Sequence, residues 1–160
     1  MTTDESWMPD NSWLMRVVGD PKGQPRPRAF ARRMGSSYVA RVYDSDVADQ
    51  WKAAVDAVLE KEKPMSLQDN LKLGPVRLSL RFLFTRPKSH KRRDGSLKLI
   101  APTSHIQKPD ADNCAKLIMD RMTRNGHFWH DDSQVIEITI WKMWADGEAP
   151  GAQIQVDWLG

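Results

Sequence analysis

KPDADNCAKLIMDRMTRNGHFWHDDSQV, residues 108–135, is the stretch on which the reading of the whole chain turns. Ala111, Cys114, Ala115, Ile118 and Met122 fall at i, i+3, i+4, i+7 and i+11, one apolar stripe of an amphipathic helix. Pro109 favours extended backbone in the residue before it, so the helix starts after Lys108. Asp110 then stands at the N-cap, where a carboxylate accepts from the free amides of the first turn. Gly126 suits the left-handed residue that closes a helix. Asp112, Lys116 and Asp120 are spaced by four and share one polar ridge.

Each acid in this stretch has an ordinary structural role open to it: a cap, a solvated helix ladder, a turn. Their combination points further. An Asp-x-Asp at a helix start, followed after a turn by Asp131-Asp132 at a strand start, is expected to bring acids from two elements together. A hard cation such as Mg²⁺ takes carboxylate oxygens while keeping several waters. Without one, gathered carboxylates repel and some take up protons.

Working outward, 160 residues make one domain with room for a core. No apolar run approaches a membrane span, and the start lacks a signal peptide's basic-then-apolar order, so a cytoplasmic protein is expected. The single cysteine, Cys114, lies on the helix's apolar stripe and reads as a core residue. The net charge of +3 hides a segregation. Residues 16–41 hold seven Lys/Arg against one acid, and residues 86–108 again seven against one. Such basic segments, in a chain whose acids cluster elsewhere, suggest a surface facing a polyanion.

Residues 1–12 read as a flexible tail and 13–160 as the domain. Trp13–Gly19 is a first strand. DPKGQPRPRAFARR follows, an extended loop whose Arg26, Arg28, Arg32 and Arg33 are candidate phosphate contacts, because phosphate binding needs charge and reach. Tyr38–Tyr43 is a short strand. Ser45 is placed to cap a helix over 46–63, with Ala48, Trp51, Val55, Val58 and Leu59 buried and Pro64 ending it. Residues 64–75 read as loop. Val76, Leu78, Leu80, Phe82 and Phe84 alternate with more polar positions in the clearest strand of the chain. Residues 86–108 form a long basic loop, with Lys91, Arg92, Arg93 and Lys108 as further candidate phosphate contacts; loops of this length are usually functional or disordered. Ile136, Ile138 and Ile140 mark another strand, and Ile154, Val156 and Trp158 the last. The order predicts an α+β domain: a mixed β-sheet with two main helices packed mainly on one face.

Other chemistries fit less well. A zinc site assembled from Cys114, His127 and His130 would need the distant His105 as its fourth ligand. GDPKGQP lacks the ending of a phosphate-cradling P-loop. Most of the seven tryptophans lie in apolar patterns and read as core or dimer contacts rather than base-stacking residues.

DADNCAKLIMD (110–120) followed by FWHDDSQV (128–135) resembles the signature of the RusA-type Holliday junction resolvases, the crossover junction endodeoxyribonucleases. PKGQPRPR (21–28) is similar to an element these proteins carry after their first strand. The resemblance implies a small homodimeric endonuclease, often phage or prophage encoded, acting in a bacterial cytoplasm in DNA recombination and repair. Its substrate would be a four-way junction, cut by paired nicks with Mg²⁺, or Mn²⁺ in its place. Residue by residue, it implies that Asp110, Asp112, Lys116 and Asp132 are catalytic and that Asp110, Asp112 and Asp132 hold the metal. Asp131 would assist from behind them. Two alternatives stand beside it: a non-catalytic DNA-binding dimer, whose binding ignores Mg²⁺, and a Mg²⁺-dependent nucleotide hydrolase, which has less use for so much basic surface.

Overall fold

The computed structural model describes residues 11–25, 28–43 and 46–160, and the side chains of these except 28–30 and 40–46. In chain order the elements are β1 (Ser12–Val18), β2 (Arg28–Met34), β3 (Ser37–Tyr43), α1 (Asp49–Lys61), α2 (Asp69–Lys72), β4 (Val76–Phe84), α3 (Ala111–Asn125), β5 (Val135–Trp144) and β6 (Gly151–Trp158). Four strands form one sheet in the order β1-β6-β4-β5. β6 runs antiparallel to β1 and β4, and β5 runs parallel to β4. Parallel neighbours need a long crossover, and α3 lies in it.

Alternation decides which face is covered. Met15 and Val17, Leu78, Leu80 and Phe82, and Ala152, Ile154 and Val156 share one face and are buried. Trp51, Val55 and Leu59 of α1 and Cys114, Ile118 and Met122 of α3 join the same core. At about 25 cal/mol per Å² removed from water, these side chains are the main source of stability. Arg121 of α3 meets Asp56 of α1 in a charged hydrogen-bonded pair that ties the two helices together. The opposite face is polar, with Arg77 paired to Glu137 and Arg16 and Arg81 both paired to Glu148. The architecture is the expected mixed sheet with its helices packed on one face.

Several elements differ from the expectation. Residues 28–34 are a strand, not an extended loop: they pair with 37–43 across a two-residue turn in which Gly35 has φ +65°. Gly-Ser at such a turn is a hairpin signal, and the density of arginine obscured it. The helix expected over 46–63 opens with a 3-10 turn at Asp46–Ala48 before α1 begins. Ser45, expected to cap it, lies outside the described residues, as does most of the expected tail; Ser12 opens β1. The expected loop 64–75 contains α2.

Candidate active site

α3 begins where the sequence places it, and Asp110 occupies the N-cap with extended backbone, φ −69° and ψ 148°. Its carbonyl accepts from the Cys114 amide at 3.0 Å, the first bond of the helix. Its carboxylate makes no capping hydrogen bond, contrary to expectation. Among the described residues neither Asp110 nor Asp112 has a side-chain partner, and both are exposed. Lys116, one turn further on, is exposed too. Two carboxylates at the positive end of a helix are thus not consumed by structure.

The loop after β1 is fastened to this helix start. The Gln24 amide donates to the Asn113 carbonyl at 3.0 Å. A Cβ on Gly23 would come within 3.1 Å of Asn113 Nδ2 and 3.3 Å of Pro109 Cβ, so glycine permits the close packing. Between them lies an open cleft of about 650 Å³ lined by Lys22, Gln24, Pro25, Lys108 and Asp110. Two basic segments distant in sequence therefore meet at Asp110.

Asp131 and Asp132 lie elsewhere. α3 closes at Gly126, which is left-handed at φ 72°, and the chain turns through the buried Phe128 and Trp129. Gln134 then donates to the carbonyls of Lys72 and Gly74, just ahead of β4, and Val135 pairs with Val76, the first residue of β4. The start of α3, by contrast, follows the far end of β4. Fifteen helical residues at about 1.5 Å each span roughly 22 Å. The two acidic pairs consequently stand at opposite ends of α3, and one chain does not bring them together. The two acids of the second pair also differ. The Asp131 carboxylate accepts from the Ser133 amide at 2.9 Å in a capping box closed by Gln134. The Ser133 side chain first, and its amide second, hold the Asp131 pKa below the usual value. Asp132 has no side-chain partner among the described residues.

The cations divide as well. Arg32, Arg33, Lys91, Arg92, Arg93 and Lys108 are all exposed. Arg26 and the side chain of Arg28 lie outside the described residues. Residues 91–97 form a small turn, with the Arg92 amide donating to Ser96 at 2.8 Å and Gly95 at φ +86°. Arg86 is different: 9% exposed, it donates to Asp146 at 2.7 Å and to the Pro102 carbonyl at 2.8 Å. It supports the loop and is not part of the basic surface, which charge counting did not reveal.

Cys114 is fully buried, and burial pushes its thiol up to about 11, so it stays a neutral core group. Among the described residues no three His, Cys, Asp or Glu side chains gather into a ready cation cage, and none of the described helices is long and apolar enough to cross a membrane. The donors at α3 nevertheless suit a hard divalent ion in kind. Mg²⁺ keeps most of its waters and is commonly held by one or two carboxylates together with substrate phosphates, without an all-protein cage.

Unengaged carboxylates at a helix start, a cleft beside them and exposed basic loops on either side are features that suit work on a phosphate backbone. The family model described as endodeoxyribonuclease RusA matches residues 19–157. The chain belongs to this family of Holliday junction endodeoxyribonucleases, whose members are generally metal-dependent. No curated protein matches the chain.

Proposed function

We propose that this protein is a homodimer that resolves four-way DNA junctions by paired, Mg²⁺-dependent nicks, in recombination and repair. The observation that carries the reading is the start of α3, where Asp110 and Asp112 are exposed and unengaged beside a basic cleft. Asp110, Asp112 and Asp132 are the metal ligands in this reading. Bound there, Mg²⁺ would make a water nucleophilic and offset charge on the scissile phosphate. Lys116, one turn inside the helix, stabilises charge developing on that phosphate. Asp131 keeps its carboxylate on the Ser133 amide and shapes the turn that presents Asp132. Arg32, Arg33, Lys91, Arg92, Arg93 and Lys108, together with Arg26 and Arg28, hold the DNA backbone.

The length of α3 adds a condition: each catalytic centre takes Asp110 and Asp112 from one copy and Asp132 from the other. β5 supports this arrangement. Among the described residues it is an edge strand, with β4 as its one neighbour. Ile136 is 67% exposed, Trp141 51%, Ile138 41% and Met143 40%. An exposed apolar edge is a template for pairing with another chain. Two copies of β5 joined antiparallel about a two-fold axis set the start of one strand beside the end of the other. Asp132 lies just before that start. The end lies beneath the segment leading to Asp110, because Lys142 donates to the Gln107 carbonyl.

The test is a synthetic four-way junction incubated with the protein, with and without Mg²⁺. Paired symmetric nicks that require the ion support the reading. Ion-independent binding without nicking refutes it, and cleavage of every duplex offered replaces it with a non-selective nuclease.

A further inference from the structure

The segment from Pro102 to Asp110 carries no helix or strand. Arg86 holds its start at the Pro102 carbonyl, and two further points fasten it nearer to Asp110. The first is His105. Its ring is 7% exposed and stacks on Phe84, the last residue of β4, at 3.9 Å between centroids and 22° between planes. Trp144, the last residue of β5, lies against it at 4.5 Å. The second is Lys142 of β5, whose ammonium donates to the Gln107 carbonyl at 2.5 Å and sits 5.8 Å from the centre of the Phe84 ring. Gln107 is three residues before Asp110.

We infer that His105 and Lys142 are positioning residues: together they fix residues 105–110 over the end of the sheet, and so set where Asp110 stands at the start of α3. This deepens the junction-cutting reading and rests on it for its activity arm. The physical argument is that Asp110 lacks anchors of its own. Its carboxylate makes no cap, so its place depends on its helix and on the segment that enters it. That segment has few backbone bonds. A stacked aromatic ring and a lysine bonded to a carbonyl replace them, the first contributing about 0.5–1.5 kcal/mol beyond its buried area.

The clamp works with a neutral His105. The charged and titratable groups around it are Lys142 from β5, Arg86 stacked on Trp144 at 5.0 Å, His90 edge-on to Trp144 at 5.2 Å, and Asp146, which is paired to Arg86. Among the described residues His105 Nδ1 is buried without a partner. Burial first, and Lys142 second, lower its pKa from 6.5. A folded-state value below the unfolded one means that neutral His105 contributes stability above pH 6.5. That contribution is lost as the pH falls from there through the lowered folded value, and the segment loosens in the same window.

The experiment compares His105→Ala, His105→Phe, Lys142→Met and Lys142→Gln with the parent protein. Hydrogen exchange is read at the amides of Gln24, Ala101 and Cys114, whose acceptors are Asn113, Lys98 and Asp110. Single-turnover nicking and junction affinity are read beside it, across pH 5–8. His105→Ala and Lys142→Met should raise exchange at those amides and leave β4 and β6 protected. They should slow nicking by about 10²-fold, the cost of roughly 1 Å of misplacement, with junction affinity nearly unchanged. His105→Phe keeps the stack without the titration: it should restore the rate at pH 8 and resist loosening on acidification. Lys142→Gln keeps a donor and should recover part of the loss. Unchanged exchange in both disruptive variants overturns the clamp whether or not any DNA is cut. Raised exchange with parental nicking overturns the positioning role. A parent protein that cuts no junction overturns the junction reading instead, and exchange alone then decides whether the clamp exists.

Discussion

Mixing two inactive variants tests whether the catalytic centre is shared between copies. Asp112→Asn and Asp132→Asn each remove one carboxylate proposed as a ligand while keeping side-chain size. Losing charge stabilisation of several kcal/mol slows the cut by about 10²-fold or more, so each variant alone should be close to dead. Asp112 lies in the first turn of a helix of 15 residues, about 22 Å long, and Asp132 lies beyond its far end. Ligands of one Mg²⁺ all lie about 2.1 Å from it, so they stand within roughly 4 Å of one another. No rotation of an aspartate side chain closes that gap inside one protomer. With shared centres, a mixed dimer has one centre carrying both lesions and one carrying neither. Random exchange makes about half the dimers mixed, so about one quarter of all centres become intact. The assay co-refolds the two variants in equal amounts and measures nicking of a labelled four-way junction. The expected product is single nicks, since each mixed dimer has one working centre. If the mixture stays as inactive as its components although exchange is verified, the shared centre is refuted.

Three further outcomes follow from the same geometry. Asp110→Asn should abolish nicking and leave the melting temperature nearly unchanged, because the Asp110 carboxylate makes no capping bond to lose; a large thermal loss would show a structural role instead. Lys116→Ala should slow the single-turnover rate by far more than the about 0.3–0.5 kcal/mol of an exposed i,i+4 pair, with folding measured by circular dichroism intact. Arg92→Ala with Arg93→Ala should flatten the slope of log affinity against log salt by about 1.8, at roughly 0.9 per lost phosphate contact; Arg86→Ala should instead lower the melting temperature, because its cation is spent on Asp146 and Pro102.

What was legible in the sequence was local. The stripe Cys114, Ala115, Ile118 and Met122 repeats within a few turns, and the alternation of β4 within nine residues, so each is visible without knowing its partner. The hairpin of β2 and β3 was less visible because arginines occupy positions where alternation would show. Side-chain commitments were not visible at all. Arg86 and Arg92 look alike in a count of charge, yet one is buried against Asp146 and the other exposed. Lys142 reads as the polar position of a strand, and only the packing of the loop over β5 reveals its bond to Gln107.

The separation of the acids has a different cause, which is chain direction. Alternating apolar residues mark β4 and β5 as strands but do not say whether they run together or oppositely. If they had been antiparallel, the chain leaving β4 would enter β5 at the same end of the sheet, and Asp110 and Asp132 would lie close. They are parallel, so the crossover must travel the height of the sheet before β5 begins, and α3 is that journey. Its start and finish are necessarily far apart, with Asp110 and Asp112 at one and Asp132 at the other. A chemistry that needs all three carboxylates on one ion then requires a second copy of the chain. Two coupled cuts would follow from the same geometry, because a closed two-fold dimer that completes one centre completes its mate as well.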